Sequence, residues 1–292
     1  MQTHLSQMIE LVLSGNAGLR DIPVNKLDNA SQNFQFCEQV VFSERANSGS
    51  PDQIKTLFDS PERWIEHLAA SKAKSLKLQY CDRSEIFAPS ETRTNSLERT
   101  TNGFVGGGAF WAIVTKFEEQ PDVQWSSNWA VWDRLAADRR IWRVDYISFD
   151  QPMPFRQTSF SQATKKLRRA LVEIEKFAAN EKLGNWANVF LKAQNTLNGE
   201  KEKHHLAFLD DFPSEILDYE AKLLLIAASQ ASAFGGMGSW NDIIPQNTKL
   251  YAKVSDNLYD AVNTAIATAV NRYPAGISAN PRRTFWNWFG FN

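Results

Sequence analysis

Cysteine is nearly missing from this chain: there are two in 292 residues, Cys37 and Cys81, standing 44 positions apart. Neither sits in a CxxC or Cys/His spacing, which removes zinc ribbons and redox dithiols. Buried thiols in a reducing cytoplasm are the expectation. Histidine is scarce as well. His4, His67, His204 and His205 form no HExxH or HxH pattern, so no metal site is expected. No run of about 18 apolar residues occurs, which excludes a membrane-spanning helix. The opening stretch MQTHLSQMIELVLSGNAG has no basic n-region and no apolar core of signal-peptide length. An excess of one charge is also lacking. At a formal net charge of −1 the chain has no electrostatic footprint for gripping phosphates, and nucleic acid is set aside as a partner.

Catalytic signatures are missing too. No GxSxG occurs, so a hydrolase nucleophile elbow is not expected. Gly106-Gly107-Gly108 is followed by neither a lysine–serine/threonine pair nor a helix start, but by the strand-like FWAIVTKF. A bulge or a close backbone approach is the expected use of these glycines, and no nucleotide or other cofactor is called for. Asp211 with Glu220-Ala-Lys222 imitates the spacing of a metal-dependent nuclease, yet here the pair opens a leucine/alanine helix. Glu118-Glu119 and Asp210-Asp211 are adjacent rather than facing, and read as solvated. No catalytic residue is therefore named. The alternative kept beside a non-catalytic reading is a hydrolase with a dispersed carboxylate site near Asp211, Glu220 and Asp242.

What the chain does have is aromatic mass: ten tryptophans and nineteen phenylalanines. Trp111, Trp125, Trp129, Trp132 and Trp142 cluster in the middle of the chain, and rings of this size usually build cores. Residues 1–15 read as an amphipathic helix stopped by Ser14-Gly15-Asn16. Strands are expected at 33–42, 77–87, in the second half of 104–117 and at 140–149, the last with an apolar side of Trp142, Val144, Tyr146 and Ser148. A helix is expected over 51–58. Another begins at the Ser60 cap and Pro61, with Trp64, Ile65 and Leu68 inward. The polar stretch 88–103 reads as a long loop, and Trp125 and Trp129, four apart, as a helix face or loop flanks. After QPMPF (151–155) the spacing turns helical, over 159–182, 185–199, from Pro213 to Phe234, and from Thr248 to Tyr273. The expected class is α+β, with an N-terminal mixed half carrying a Trp-rich antiparallel sheet and a C-terminal helical bundle. The expected domains are 1–152 and 158–273, followed by an aromatic stretch over 274–292.

Between the last two helices lies AFGGMGSWND. Gly235 and Gly236 suggest a left-handed helix cap, and Gly238 adds a third glycine. Ser239 and Asp242 fit a capping pair, while Met237 and Trp240 are expected to plug the end of the bundle. The competing reading makes the turn an anion nest with Asn241 and Asp242 beside it. The expected binding residues are thus Gly235, Gly236, Gly238, Ser239, Trp240, Asn241 and Asp242. GGMGSWND, with the apolar helix before it and LYAKVSDNLYDAV after it, resembles a segment of small uncharacterised bacterial proteins, some of them immunity-like proteins from toxin neighbourhoods. The resemblance spans residues 215–273. It implies a bacterial source and a binding role, and it carries over no catalytic residue. Near the end, PRRTFWNWFGFN places Phe285, Trp286, Trp288, Phe289 and Phe291 in seven residues. Rings so dense must be covered. Either they fold back over the Trp-rich half, or they dock on a partner protein with Trp286 and Trp288 as anchors.

Overall fold

The computed structural model describes residues 3–23, 25–28, 30–45, 54–81, 95–104, 107–149, 158–200 and 206–272. The described chain is α+β. Six strands form one sheet in the order β2-β1-β6-β5-β4-β3, with β1 Cys37–Arg45, β2 Ile54–Phe58, β3 Ser75–Cys81, β4 Phe110–Lys116, β5 Val123–Val131 and β6 Trp142–Phe149. The sheet is mixed rather than purely antiparallel, because β1 runs parallel to β6 while every other pair is antiparallel. Alternation along paired strands gives two faces. The first carries Phe42, Leu76, Ile113, Trp125, Val144 and Tyr146. Beneath it lie α1 Thr3–Gly18 and α2 Pro61–Ala70. Trp64 of α2 stacks on Phe42 with ring centroids 4.1 Å apart, and Trp125 meets Trp64 edge-on at 5.8 Å. Trp111 and Trp125 are buried, Trp129 and Trp142 half-buried, and Trp132 is exposed.

Several expectations give way here, each for a packing reason. Residues 54–58 are a strand, because their backbone pairs with Phe42–Arg45 of β1. A helix could not run into the Ser60–Pro61 start that follows, since a residue before proline is pushed to extended backbone. That start itself is as expected: Ser60 Oγ accepts from the Arg63 N–H, and Trp64, Ile65 and Leu68 are buried. The first helix does not stop at Ser14-Gly15-Asn16 but passes through them. A Cβ on Gly15 would fall 2.2 Å from Leu76 Cδ1, so the glycine is there for close approach to β3. Trp125 and Trp129 share one side of a strand, four residues being two full pleats. Within the expected loop 88–103, residues Asn95–Thr101 form a helix, α3, and Arg99 on it is buried; 88–94 lie outside the described residues.

From residue 158 onward the described chain holds helices and 3-10 turns only: α4 Phe160–Asn180, α5 Gly184–Leu197, α6 Tyr219–Ala231 and α7 Thr248–Val270. Ser159 and Gln162 cap α4 reciprocally. Each helix packs on the next, and α7 returns against α4. Pro213 does not open α6. The chain turns at 213–217, with both the Ile216 and Leu217 N–H donating to the Pro213 carbonyl, and Asp218 caps the helix five residues later. The apolar core is continuous from α1 and the first sheet face into all four of these helices. Gln7, buried on α1, donates to the Asn33 carbonyl and accepts from the Tyr146 hydroxyl at 3.0 Å.

Candidate functional site

The 233–242 stretch is built on a helix end and a tryptophan. The helix α6 stops at Ala231 with Ser232 as its cap, three residues before Gly235. Gly235 and Gly236 therefore do not close it, and neither has a positive φ; only Gly238 does, at 78°. The expected left-handed cap at 235–236 is corrected accordingly. Gly235 and Gly236 serve a different contact: a Cβ on Gly103 would lie 2.4 Å from both Gly235 C and Gly236 N. Backbone rests on backbone there, and Gly103 is the residue that permits it.

Trp240 is fully buried. Its indole lies among Phe177 of α4, Trp186 and Phe190 of α5 and Tyr251 of α7, with ring centroids 5.2–6.2 Å away. Its Nε1–H donates to Ser255 Oγ at 2.7 Å. The Tyr251 hydroxyl donates to the Trp240 carbonyl at 2.5 Å, and burial pushes that phenol above its ordinary pKa. The expected plug is thus Trp240 alone. Met237 points to solvent and is fully exposed, because positive φ at the neighbouring Gly238 turns the chain outward before Trp240 re-enters.

The polar side chains of the turn are engaged within the protein. Ser239 Oγ accepts from the Asn241 N–H and donates to the Gly235 carbonyl. The Asp242 carboxylate accepts the Gly238 N–H at 2.5 Å, so the protein's own acid occupies one of the N–H groups an anion nest would use. Asn241 faces inward, with its Oδ1 accepting from Arg99 Nη1 at 2.8 Å and its Nδ2 donating to the Arg99 carbonyl at 3.0 Å. Arg99 is ion-paired to Asp256 of α7 at 3.1 Å and lies over the Phe234 and Tyr251 rings. Asn102 Nδ2 adds a bond to the Phe234 carbonyl. Sequence reading missed Arg99, Asn102 and Gly103. They meet the turn across more than 130 positions, and no local pattern signals such a pairing. Among exposed apolar residues are Met237, Ile244 and Phe104.

The carboxylates of the hydrolase alternative have separate surroundings. Glu220 pairs with Arg272 at 2.8 Å, Asp211 adds a small repulsion to the burial that chiefly raises the Glu10 carboxyl, and Asp242 caps Gly238. Lys222 pairs with Asp210. Among the described residues no three of His, Cys, Asp and Glu gather as a metal site would need, and no helix is long and apolar enough to cross a membrane. Cys37 and Cys81 are buried and form no disulfide. His204, His205, Trp286 and Trp288 lie outside the described residues. No protein-family model, curated protein or solved structure matches this chain.

Proposed function

We propose that this is a non-catalytic protein that acts by protein–protein contact, with the turn 235–244 as its contact surface. We read the four C-terminal helices as a bundle that holds this turn rigid. One observation carries the reading: the turn spends its polar side chains on its own fold and leaves apolar side chains bare. Met237 and Ile244 are essentially fully exposed, and so is most of Phe104, next to the Gly103 contact. Two chain segments that touch each other each present a bare apolar side chain. A surface fixed by a buried tryptophan loses little entropy on binding, which favours recognition by an apolar pocket on a partner. The resemblance of GGMGSWND to immunity-like proteins points the same way, and the buried reduced thiols fit a cytoplasmic setting. Loading full-chain protein and the variant Met237→Asp with Phe104→Asp onto matched affinity matrices tests this. A protein held by the first and lost by the second, at unchanged melting temperature, is the expected result. Equal retention by both would overturn the assignment to this surface.

A further inference from the structure

The second face of the sheet is the unexplained surface of this molecule. Pairing places Val41 and Ser43 of β1, Ile147 of β6, Val114 of β4 and Cys81 of β3 on it. All are buried, yet none belongs to the apolar core that α1, α2 and the four later helices build against the first face. Polar groups are buried there as well: among the described residues Ser43 Oγ and Asp145 Oδ1 have no hydrogen-bond partner. A buried hydroxyl and carboxylate oxygen in that condition call for donors brought by whatever lies on the face.

We infer that the stretch Arg282–Phe291 of this same chain covers this face. Three observations converge on it. First, the described chain ends beside the sheet's β3 edge: the Asn271 side chain accepts from the Leu78 N–H at 2.7 Å and donates to the Leu78 carbonyl at 2.8 Å. Residues 273–282 span up to about 33 Å when extended, while the path from β3 across to β1 is roughly 19 Å. Second, the stretch carries the rings such a face needs. Phe285, Trp286, Trp288, Phe289 and Phe291 represent roughly 750–1,250 Å² of surface that cannot stay in water. Third, it brings donors: Arg282 and Arg283 precede the rings with only Thr284 between, and a guanidinium suits the open oxygen of Asp145, as an indole N–H suits Ser43.

The two cysteines report on the two faces. Cys81 lies on the second; Cys37 is part of the core under the first. Native-state modification by a small thiol reagent is followed on the full chain and on the full-chain variant Trp286→Ala with Trp288→Ala. Slow reaction of both thiols in the unaltered chain, and at least tenfold faster reaction of Cys81 alone in the variant, is the expected outcome. Cys37 is the control for unfolding. Should it react too, the milder variant Arg282→Ala with Arg283→Ala is read in the same way. Three results would overturn the inference. One is a Cys81 already reactive in the unaltered chain. Another is a Cys81 equally protected in a folded variant, which assigns the cover to another segment. The last is protection that grows with protein concentration, which assigns it to a second copy.

Discussion

Gly103, Gly235, Gly236 and Gly238 meet at one place but do different work, and substitution separates them. Gly238 has a φ of 78°, where a Cβ is strained whatever the space, so Gly238→Ala should cost about 1 kcal/mol. Gly103→Ala would press a methyl into the Gly235–Gly236 peptide at 2.4 Å and should cost about 1–3 kcal/mol. Gly235→Ala and Gly236→Ala meet open space or a contact at 4.0 Å and should be near neutral. Urea unfolding of the four variants checks the order. Trp240→Ala, which empties a ring-lined site and leaves Ser255 Oγ without its donor, should cost about 3–5 kcal/mol. A protonation effect belongs to this scale too. Burial lowers His4 to a pKa of about 4. Between that value and its unfolded value near 6.5 the unfolded chain holds the extra proton, so acid favours unfolding there. The stabilising contribution is complete above pH 6.5 and is lost as pH falls toward 4. His4→Gln should flatten the fall by roughly 1–3 kcal/mol in stability measured across that window. Glu10, raised by burial, acts with the opposite sign, so only the difference between wild type and the His4 variant isolates the histidine.

The element whose surroundings matter most is β3, the strand at one edge of the sheet. Its outward backbone groups are not left open. Asn16 of α1 accepts from the Leu76 N–H and donates to the Leu76 carbonyl, both at 2.9 Å, and Asn271 after α7 repeats the pairing at Leu78. Two side-chain amides stand in for a seventh strand. Such capping removes the template that an edge offers to other chains. Asn16→Ala should cost about 2–3 kcal/mol, since a buried N–H and carbonyl lose their partner. Asn271→Ala should cost less but open the edge, and light scattering should detect concentration-dependent association that wild type does not show.

Across the whole molecule, the apolar core runs without interruption from α1 through the first sheet face to α7. Lys77 Nζ of β3 reaches the Asn271 carbonyl at 3.0 Å, and the Ala109 N–H donates to the Tyr259 hydroxyl of α7 at 2.7 Å. The sheet half and the helical half thus share buried groups on both sides of residues 151–157. A core so shared has no plane along which half can melt first. Thermal unfolding followed by far-UV and near-UV circular dichroism should give coincident single transitions. Two separated transitions would show that the halves are energetically independent.

Periodicity is a local property, and wherever burial followed it the sequence alone sufficed. The stripes of α4 and α7, the Ser60–Pro61 start of α2 and the alternation of β6 were legible because one face of each meets one layer of core. So was the mixed character of the chain, from alternating segments to helical ones, and the burial of its two cysteines. Tertiary structure decided the rest. Residues 54–58 became a strand because β1 offered its edge, and 95–101 a helix because Arg99 found Asp256 and two rings. Helix α1 ran through a serine–glycine–asparagine stop because Leu76 needed the glycine's space and the asparagine's amide. The candidate site divides in the same way. Trp240 and the Ser239 cap could be read from their neighbours in sequence. The outward Met237, the inward Asn241 and the support from Arg99 and Gly103 could not, since those contacts join positions far apart in the chain, and pattern along a chain carries no record of what folds against it.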